Sequence, residues 1–189
     1  MNSPTGEIVS HALHGRCTGI KKELKIPSNR KIVRILMNTG SLVDGIQFVF
    51  DDGTKSDWYG GPGGTRKEIE VKGNIIGLYG ALGLYIDSLG FYYSPNESNT
   101  NNNIIVNNQQ TFIENLTTNY KVQEAIGGRG GLPFSDSITD INVTPNKIII
   151  CYQKDNAAYL TGIQLLVLQL MESLPIVFME SAMVLIKRK

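Results

Sequence analysis

The sequence predicts an all-β protein, and three features of its 189 residues support this prediction. Apolar and polar residues alternate along several short runs, which is the period of a half-buried strand. Turn-forming residues, among them 20 glycines, separate these runs. No run before residue 157 has helical periodicity preceded by a capping box, so almost no helix is expected there.

The clearest predicted strand ends at residue 50, where Ile46, Phe48 and Phe50 share one face. Asp51-Asp52-Gly53-Thr54 follows directly and predicts a hairpin turn, with Gly53 supplying a positive φ. The other predicted strands, in chain order, are residues 31–37, 68–71, 74–79, 85–92 and 147–152.

Composition and internal similarity divide the chain into three predicted parts. Residues 1–94 form a first segment, and residues 95–126 begin with an Asn-rich stretch of turn formers that predicts a mobile linker. Residues 127–189 are predicted to start a second, incomplete repeat. Two pairs of similar strands, 42–47 with 159–164 and 31–35 with 147–151, support the repeat because nearly equal distances separate their members.

The last segment, residues 163–186, is strongly apolar and long enough to cross a membrane. However, Glu172 and Glu180 lie within it, and a carboxylate near the centre of a membrane helix costs about 2.5–3.5 kcal/mol. We therefore expect a buried strand followed by a helical or irregular tail, and no membrane partner.

Composition argues against several classes of function. The net charge is +1, with 18 basic and 17 acidic residues, so no nucleic-acid partner is expected. Cys17 and Cys151 are interpreted as ordinary thiols, since they are far apart in the sequence and lack zinc-site spacing. His11 and His14, the only histidines, are interpreted as surface residues, so neither a metal, a cofactor nor a catalytic triad is predicted. The N-terminus lacks the apolar core of a secretory signal, which predicts a cytoplasmic location by default.

Two glycine-rich runs, residues 59–65 and 127–131, are candidates for loops that approach a ligand closely. Neither ends in Gly-Lys-Ser/Thr, so neither is a phosphate loop, and a tight connection between strands explains both. A third segment, Gly83-Leu84-Tyr85-Ile86-Asp87, brings one carboxylate to a strand entry. Asp87 there either fixes the turn or accepts hydrogen bonds from sugar hydroxyls, with the Tyr85 ring against a pyranose.

The segment Gly83-Leu84-Tyr85-Ile86-Asp87 resembles the Gly-x-x-x-Asp sugar-binding loop of the jacalin-related lectins. Residues 42–48 resemble an early strand of that family. Residues 127–136 resemble its opening, Gly-Gly-x-Gly-Gly followed by Phe and Asp. The resemblance covers about residues 30–94 and 127–168.

This resemblance implies an all-β fold, a β-prism of three Greek-key sheets. It also implies a lectin module for neutral sugars of the mannose or glucose type, present as mono- or oligosaccharides or glycoconjugates. Asp87 would accept from sugar hydroxyls, the backbone amides of Tyr85 and Ile86 would donate, and Gly83 would allow the turn. The opening loop with Gly127 and Gly128 would lie on the other side of the sugar.

The sequence departs from the family pattern in each half. By the repeat, the opening glycines should fall near residues 11–15, where only Gly15 is found. The second half has the glycines of the opening but no later Gly-x-x-x-Asp. Either the halves combine into one prism with a composite site, or the site is damaged.

The expected function is therefore sugar binding by a non-enzymatic module, which could also form a homo-oligomer. The alternative is a jacalin-like structural or interaction module without sugar binding, which the split motif favours. A glycan-active enzyme would require two carboxylates flanking a cleft, and no such pair is evident.

Overall fold

A computed structural model of the protein describes residues 6–95, 120–153 and 158–170. These residues contain strands and no helix, as the sequence predicts. The strands are β1 (Gly6–Ser10), β2 (His14–Gly15), β3 (Ile20–Lys25), β4 (Ile32–Thr39), β5 (Val43–Phe50), β6 (Tyr59–Gly60), β7 (Thr65–Glu70), β8 (Gly73–Leu82), β9 (Ile86–Pro95), β10 (Lys121–Gly127), β11 (Leu132–Ser135), β12 (Val143–Tyr152) and β13 (Leu160–Leu170).

The strands form three antiparallel sheets, and each sheet is built around one long hairpin. The first sheet has the order β6-β5-β4-β7, and the second has the order β10-β9-β8-β11. In both, the fourth strand returns to lie beside the first, which is the Greek-key arrangement. The third sheet has the order β1-β13-β12-β3, with β2 also paired to β13, so it joins the first described strands to the last. The predicted prism of three sheets is confirmed.

The three central hairpins share one register, including a shift at the same place. The corresponding Cα pairs are Asn38 with Gly45, Ala81 with Ser88, and Cys151 with Gly162. The residues that precede the second member of each pair are therefore also equivalent, and these are Asp44, Asp87 and Thr161.

This equivalence explains half of the repeat seen in the sequence. Gly45 and Gly162 occupy the same position in the first and third sheets, as the similarity of 42–47 to 159–164 suggests. The second match is misaligned, because the register makes Arg34 and not Lys31 the counterpart of Lys147.

Strands from both halves of the chain pair with one another. All of β10 except Gly127 lies in the range predicted as a linker, and β10 pairs with β9. β11 pairs with β8. The division into 1–94, 95–126 and 127–189 remains a prediction. Most of the Asn-rich stretch lies outside the described residues, so the mobility expected of it stays a prediction.

The inward faces of the three sheets share one apolar core. Ile46 and Phe48 are fully buried and Phe50 nearly so, which confirms the predicted face of β5. The predicted turn at residues 51–54 is also present, with Gly53 at φ +82° and its amide donating to the Phe50 carbonyl. The largest fully buried side chains are Phe48, Phe91, Ile35, Met37, Ile46, Ile75, Ile76, Leu78, Ile86, Leu89, Ile148 and Ile150.

The interpretation of the cysteines as two ordinary thiols is wrong. Cys17 and Cys151 form a disulfide across a sequence separation of 134 residues, with their Cα atoms 5.0 Å apart. Sequence distance is a poor guide here, because the β12–β3 pairing brings the end of β12 beside the loop that precedes β3.

The apolar C-terminal segment begins as a strand, since β13 pairs with both β1 and β12. The predicted tail beyond residue 170 lies outside the described residues. Across residues 6–95, 120–153 and 158–170, no helix has the length and apolar character needed to span a membrane.

Candidate functional site

The first candidate site lies where the hairpin turn of the second sheet meets a glycine loop. Gly83 begins the turn between β8 and β9, and its amide donates to the Tyr85 carbonyl at 2.9 Å. Residues 127–131 link β10 to β11, and the Gly128 amide donates to the Asp87 carbonyl at 2.8 Å. The fold therefore brings together two predicted segments that are some forty residues apart in the sequence.

Glycine at residues 130 and 131 leaves room for the Asp87 carboxylate. A Cβ atom on Gly131 would lie 2.6 Å from Asp87 Oδ2, and one on Gly130 would meet Oδ1. Asp87 is 8% exposed. Among the described residues, no side chain donates a hydrogen bond to its carboxylate or forms an ion pair with it. The carboxylate thus keeps acceptor capacity for a ligand.

Tyr85 and Ile86 contribute to this site in different ways. Ile86 is fully buried, so its side chain belongs to the core and only its backbone could contact a ligand. The Tyr85 ring lies 5.2 Å from the Tyr159 ring, centroid to centroid, and its hydroxyl accepts a hydrogen bond of 2.9 Å from Gln153 Nε2. Contact with the third hairpin thus engages the ring that the sequence suggested as a sugar platform.

A second carboxylate, Asp44 in the first sheet, has the same surroundings as Asp87. Cβ atoms on Gly63 and Gly64 would lie 2.5 Å from Asp44 Oδ1 and Oδ2, respectively. The Gly61 amide donates to the Asp44 carbonyl at 2.8 Å, as Gly128 does to Asp87. Asp44 is also 8% exposed, and burial raises the pKa of its carboxyl.

The sequence analysis missed Asp44, although a signal was present. Gly40-Ser41-Leu42-Val43-Asp44 is itself a Gly-x-x-x-Asp segment, and its turn has the same hydrogen bond, from the Gly40 amide to the Leu42 carbonyl. Their alternation predicts only a strand, and residues 59–65 are a candidate ligand loop that a tight connection between strands also explains. The connection in fact brings its glycines against Asp44.

Side chains brace the glycine loop at Asp44. Trp58 Nε1 donates to the Gly61 carbonyl at 3.0 Å, and Asn38 Nδ2 donates to the Pro62 carbonyl at 3.0 Å. Arg66 Nε donates to Asn38 Oδ1 at 2.7 Å, while the guanidinium lies 4.6 Å from the centre of the Trp58 ring. The loop backbone is therefore held in place independently of any ligand, which lowers the cost of ordering it on binding.

The third equivalent position has no carboxylate. The Arg16 amide donates to the Thr161 carbonyl at 2.8 Å, in the same pattern as Gly61 and Gly128. However, Thr161 is 1% exposed and its hydroxyl donates to the Thr18 carbonyl. The disulfide at Cys17 also cross-links this loop. The third position therefore lacks the carboxylate that marks the other two.

Asp136 belongs to the opening motif in the sequence, but in the structure its carboxylate contacts other residues of the fold. Its Oδ1 lies 2.6 Å from His14 Nε2, and its Oδ2 accepts a hydrogen bond of 2.8 Å from the Leu78 amide. His14 is 8% exposed and stacks on Phe134, so its interpretation as a surface histidine is wrong. His11 is partly buried beside the same carboxylate, at 3.9 Å.

Comparisons with known proteins find a matching family model and several similar solved structures. Residues 2–92 match the family model of the Jacalin-like lectin domain. Among solved structures, a mannose-binding jacalin-related lectin from Ananas comosus superposes with a TM-score of 0.54 at 17% identity, covering 86% of this chain and 98% of that one. The Calystegia sepium agglutinin gives 0.56 at 18% identity, covering 88% and 98%. A mannose-specific jacalin-related lectin from Morus nigra, solved with mannose, gives 0.55 at 15% identity, covering 90% and 99%.

One curated relative has a name of a different kind. The Schizosaccharomyces pombe protein named "Putative zinc metalloproteinase" is 38% identical over 65 residues, which are 33% of this chain and 11% of that protein. The chain therefore spans about a tenth of that relative's length.

The resemblance to the jacalin-related lectins is confirmed by the family match and by the shared β-prism.

Proposed function

We propose that this chain, with its Jacalin-like lectin match and jacalin-related β-prism, is a lectin that binds neutral sugars at Asp87 and at Asp44. One observation carries the proposal. Each carboxylate faces a glycine loop, with the nearest loop positions too close to admit a side chain. A pocket of carboxylate and backbone suits vicinal hydroxyls, which donate to the carboxylate and accept from amides.

The residues have distinct roles in this proposal. At the first site Asp87 accepts from sugar hydroxyls, and the backbone amides of Tyr85 and Ile86 donate to them. Gly83 permits the turn. Gly127 and Gly128 hold the opposite loop, and Gly128 does so through its hydrogen bond to the Asp87 carbonyl. At the second site Asp44 takes the part of Asp87, with the amides of Leu42 and Val43 as donors.

Sugars of the mannose or glucose type are the proposed ligands. The superposed Ananas comosus and Morus nigra lectins are described as mannose-binding and mannose-specific, which supports this class. We propose binding without turnover, because the superposed proteins named above are lectins. The metalloproteinase-named relative is matched over only 11% of its length. Homo-oligomer formation remains a prediction, and light scattering on the purified protein tests it.

The alternative is a structural or interaction module that keeps the prism without binding sugar, and the third position bears on it. There the same backbone is kept while the carboxylate is replaced by Thr161, so the fold does not require a carboxylate at this point. The two proposals differ in one measurable property, which is sugar affinity.

The test is calorimetry, guided by a glycan array, on the wild type and on Asp44→Ala, Asp87→Ala and the double variant. A hydrogen bond to a charged group contributes about 1.5–3 kcal/mol, so each substitution should weaken its own site about tenfold to a hundredfold. The double variant should show no binding, with its thermal unfolding still cooperative. Glu68→Ala is the matched control, since this carboxylate lies in the same sheet as Asp44 but is exposed and paired with Arg34.

Two steric variants test the glycine loops separately. Gly63 and Gly130 do not have positive φ, so an added methyl group enters the site without straining the backbone. Gly63→Ala should block the Asp44 site alone, and Gly130→Ala the Asp87 site alone. Full sugar binding by the double Asp variant would remove both carboxylates from the site, whereas no binding by the folded wild type would favour the structural module.

A further inference from the structure

The two candidate sites share a backbone but differ in the side chains at their rims. Leu84 lies in the turn that leads to Asp87 and is 66% exposed. Leu132 directly follows the glycine loop that faces Asp87 and is 76% exposed. Thus an exposed leucine stands on each of the two segments that enclose this carboxylate.

The register identifies the counterparts of these leucines at the Asp44 site. Leu132 pairs with Leu82, and the equivalent pair in the first sheet is Thr65 with Thr39. In the hairpin turns, the residue that follows Gly83 is Leu84, and the residue that follows Gly40 is Ser41. The rim that carries two leucines at Asp87 therefore carries two hydroxyl side chains at Asp44.

Single exposed apolar residues are ordinary on protein surfaces and need no explanation. The position of these two is informative, because both segments that enclose one carboxylate carry a leucine while both equivalents are polar. A bare pyranose presents mainly hydroxyls at its edges and gains little from leucine. An apolar substituent on the sugar would be removed from water there, which is favourable in proportion to the buried area.

We propose that the Asp87 site prefers glycosides with an apolar group beside the sugar ring, such as an aryl or alkyl aglycone, and that the Asp44 site takes the unsubstituted sugar. This inference rests on the proposed function. It assigns the two sites different ligand classes and attributes the difference to Leu84 and Leu132.

The experiment uses single-site proteins and two series of probes. Asp44→Ala leaves the Asp87 site intact, and Asp87→Ala leaves the Asp44 site intact. Calorimetry measures the methyl and the 4-nitrophenyl α-glycosides of mannose, glucose and galactose against each. The preference for the aryl over the methyl glycoside should be about threefold to tenfold greater at the Asp87 site, as expected for partial burial of one aromatic ring.

Exchanging the rims tests the assigned residues. In the Asp44→Ala protein, Leu84→Ser with Leu132→Thr should lower the aryl preference to that of the other site. In the Asp87→Ala protein, Ser41→Leu with Thr65→Leu should raise it, so a folding defect in one exchange leaves the other to decide. Val122→Thr is the control, because this residue is also exposed, at 56%, but lies near the far end of β10 from the loop.

The outcomes separate the two proposals. Binding of methyl glycosides with the same aryl preference at both sites would overturn the inference and leave the proposed function standing. An aryl preference that persists through the rim exchange would overturn the role of the leucines. No binding of any probe by the folded wild type would overturn the proposed function and this inference together.

Discussion

Asp44 and Asp136 are both largely buried carboxylates, but they differ in whether the folded protein supplies partners for them. Asp136 is approached by His14 and by the Leu78 amide, so the folded protein already satisfies it. At Asp44, burial raises the pKa of the carboxyl, which means that the fold disfavours its charge. A carboxylate kept against the preference of the fold is typical of a functional position.

The raised pKa gives a prediction for Asp44→Asn. Because the pKa in the folded state exceeds the ordinary value of 3.8, the native state binds this proton more readily than the unfolded state does. The stability linked to Asp44 is therefore fully present below pH 3.8 and is lost as the pH rises through the folded pKa. At pH 7 the asparagine variant should unfold at the same temperature as the wild type or at a higher one.

Thermal unfolding at pH 7 and near pH 4 checks this, and any advantage of the variant should shrink at the lower pH. In the Asp87→Ala protein, sugar binding at Asp44 should weaken as the pH falls through the same pKa, because a protonated carboxyl loses acceptor strength. A clear loss of stability for Asp44→Asn at pH 7 would mean that the carboxylate supports the fold.

The sequence identified Asp87 but not Asp44 as a candidate, because the contact of Asp44 with its glycine loop depends on strand pairing. Asp87 ends a segment that resembles a known loop, whereas Asp44 lies in a run whose alternation already predicts a strand. The partner of each carboxylate is a glycine loop elsewhere in the chain, and only the strand pairing shows which loop meets which carboxylate.

At the scale of elements, burial decides which strands the sequence could predict. β4, β5, β8, β9, β12 and β13 form the three hairpins that line the core, and the sequence predicts a strand in each of them. The missed strands lie at or beside sheet edges or are very short; all five residues of β1 are exposed, and β3 is rich in lysine. Edge strands bury little apolar surface, so their sequences carry a weak periodic signal.

The His14–Asp136 contact joins two such weakly predicted elements, β2 and the end of β11. His14→Ala would leave the buried Asp136 carboxylate with the Leu78 amide and the more distant His11, at 3.9 Å, as its partners. Leaving a buried polar group short of a partner costs about 1–3 kcal/mol, and more for a charged group, so we expect a loss of about 2–3 kcal/mol in the free energy of unfolding.

Urea unfolding measures this loss, with Lys147→Ala as the control. Lys147 pairs with Glu23 at 2.9 Å near the surface, and exposed pairs contribute about 0–1 kcal/mol. Equal effects of the two substitutions would show that His14 does not hold Asp136 in a way that matters for stability. Sugar binding should be unchanged in both variants, since neither residue lies at a proposed site.

At the scale of the whole molecule, one backbone arrangement is used three times with different chemistry. In each sheet a loop amide donates to the carbonyl that follows the hairpin turn, from Arg16, Gly61 and Gly128 to Thr161, Asp44 and Asp87, respectively. Two of these positions keep a carboxylate. The third has a disulfide instead, which lies in the sheet that joins the first and last described strands. We infer that the third position contributes stability where the other two contribute binding.

Removing the disulfide tests this division between stability and binding. Cys17 is exposed, so Cys17→Ser breaks the bond while leaving the buried Cys151 in place. A cross-link between residues separated by 134 positions restricts the unfolded chain strongly, and its loss should lower the free energy of unfolding by about 2–5 kcal/mol. Thermal unfolding should show a lower midpoint for Cys17→Ser, and reductant should lower the midpoint of the wild type to nearly the same value while leaving the variant unchanged.

Affinity for sugar at 25 °C should be retained in Cys17→Ser, because Asp44, Asp87 and their glycine loops do not include either cysteine. A wild-type midpoint that reductant fails to move would contradict the disulfide, and a parallel loss of sugar affinity in the still-folded variant would contradict the separation of roles among the three sheets.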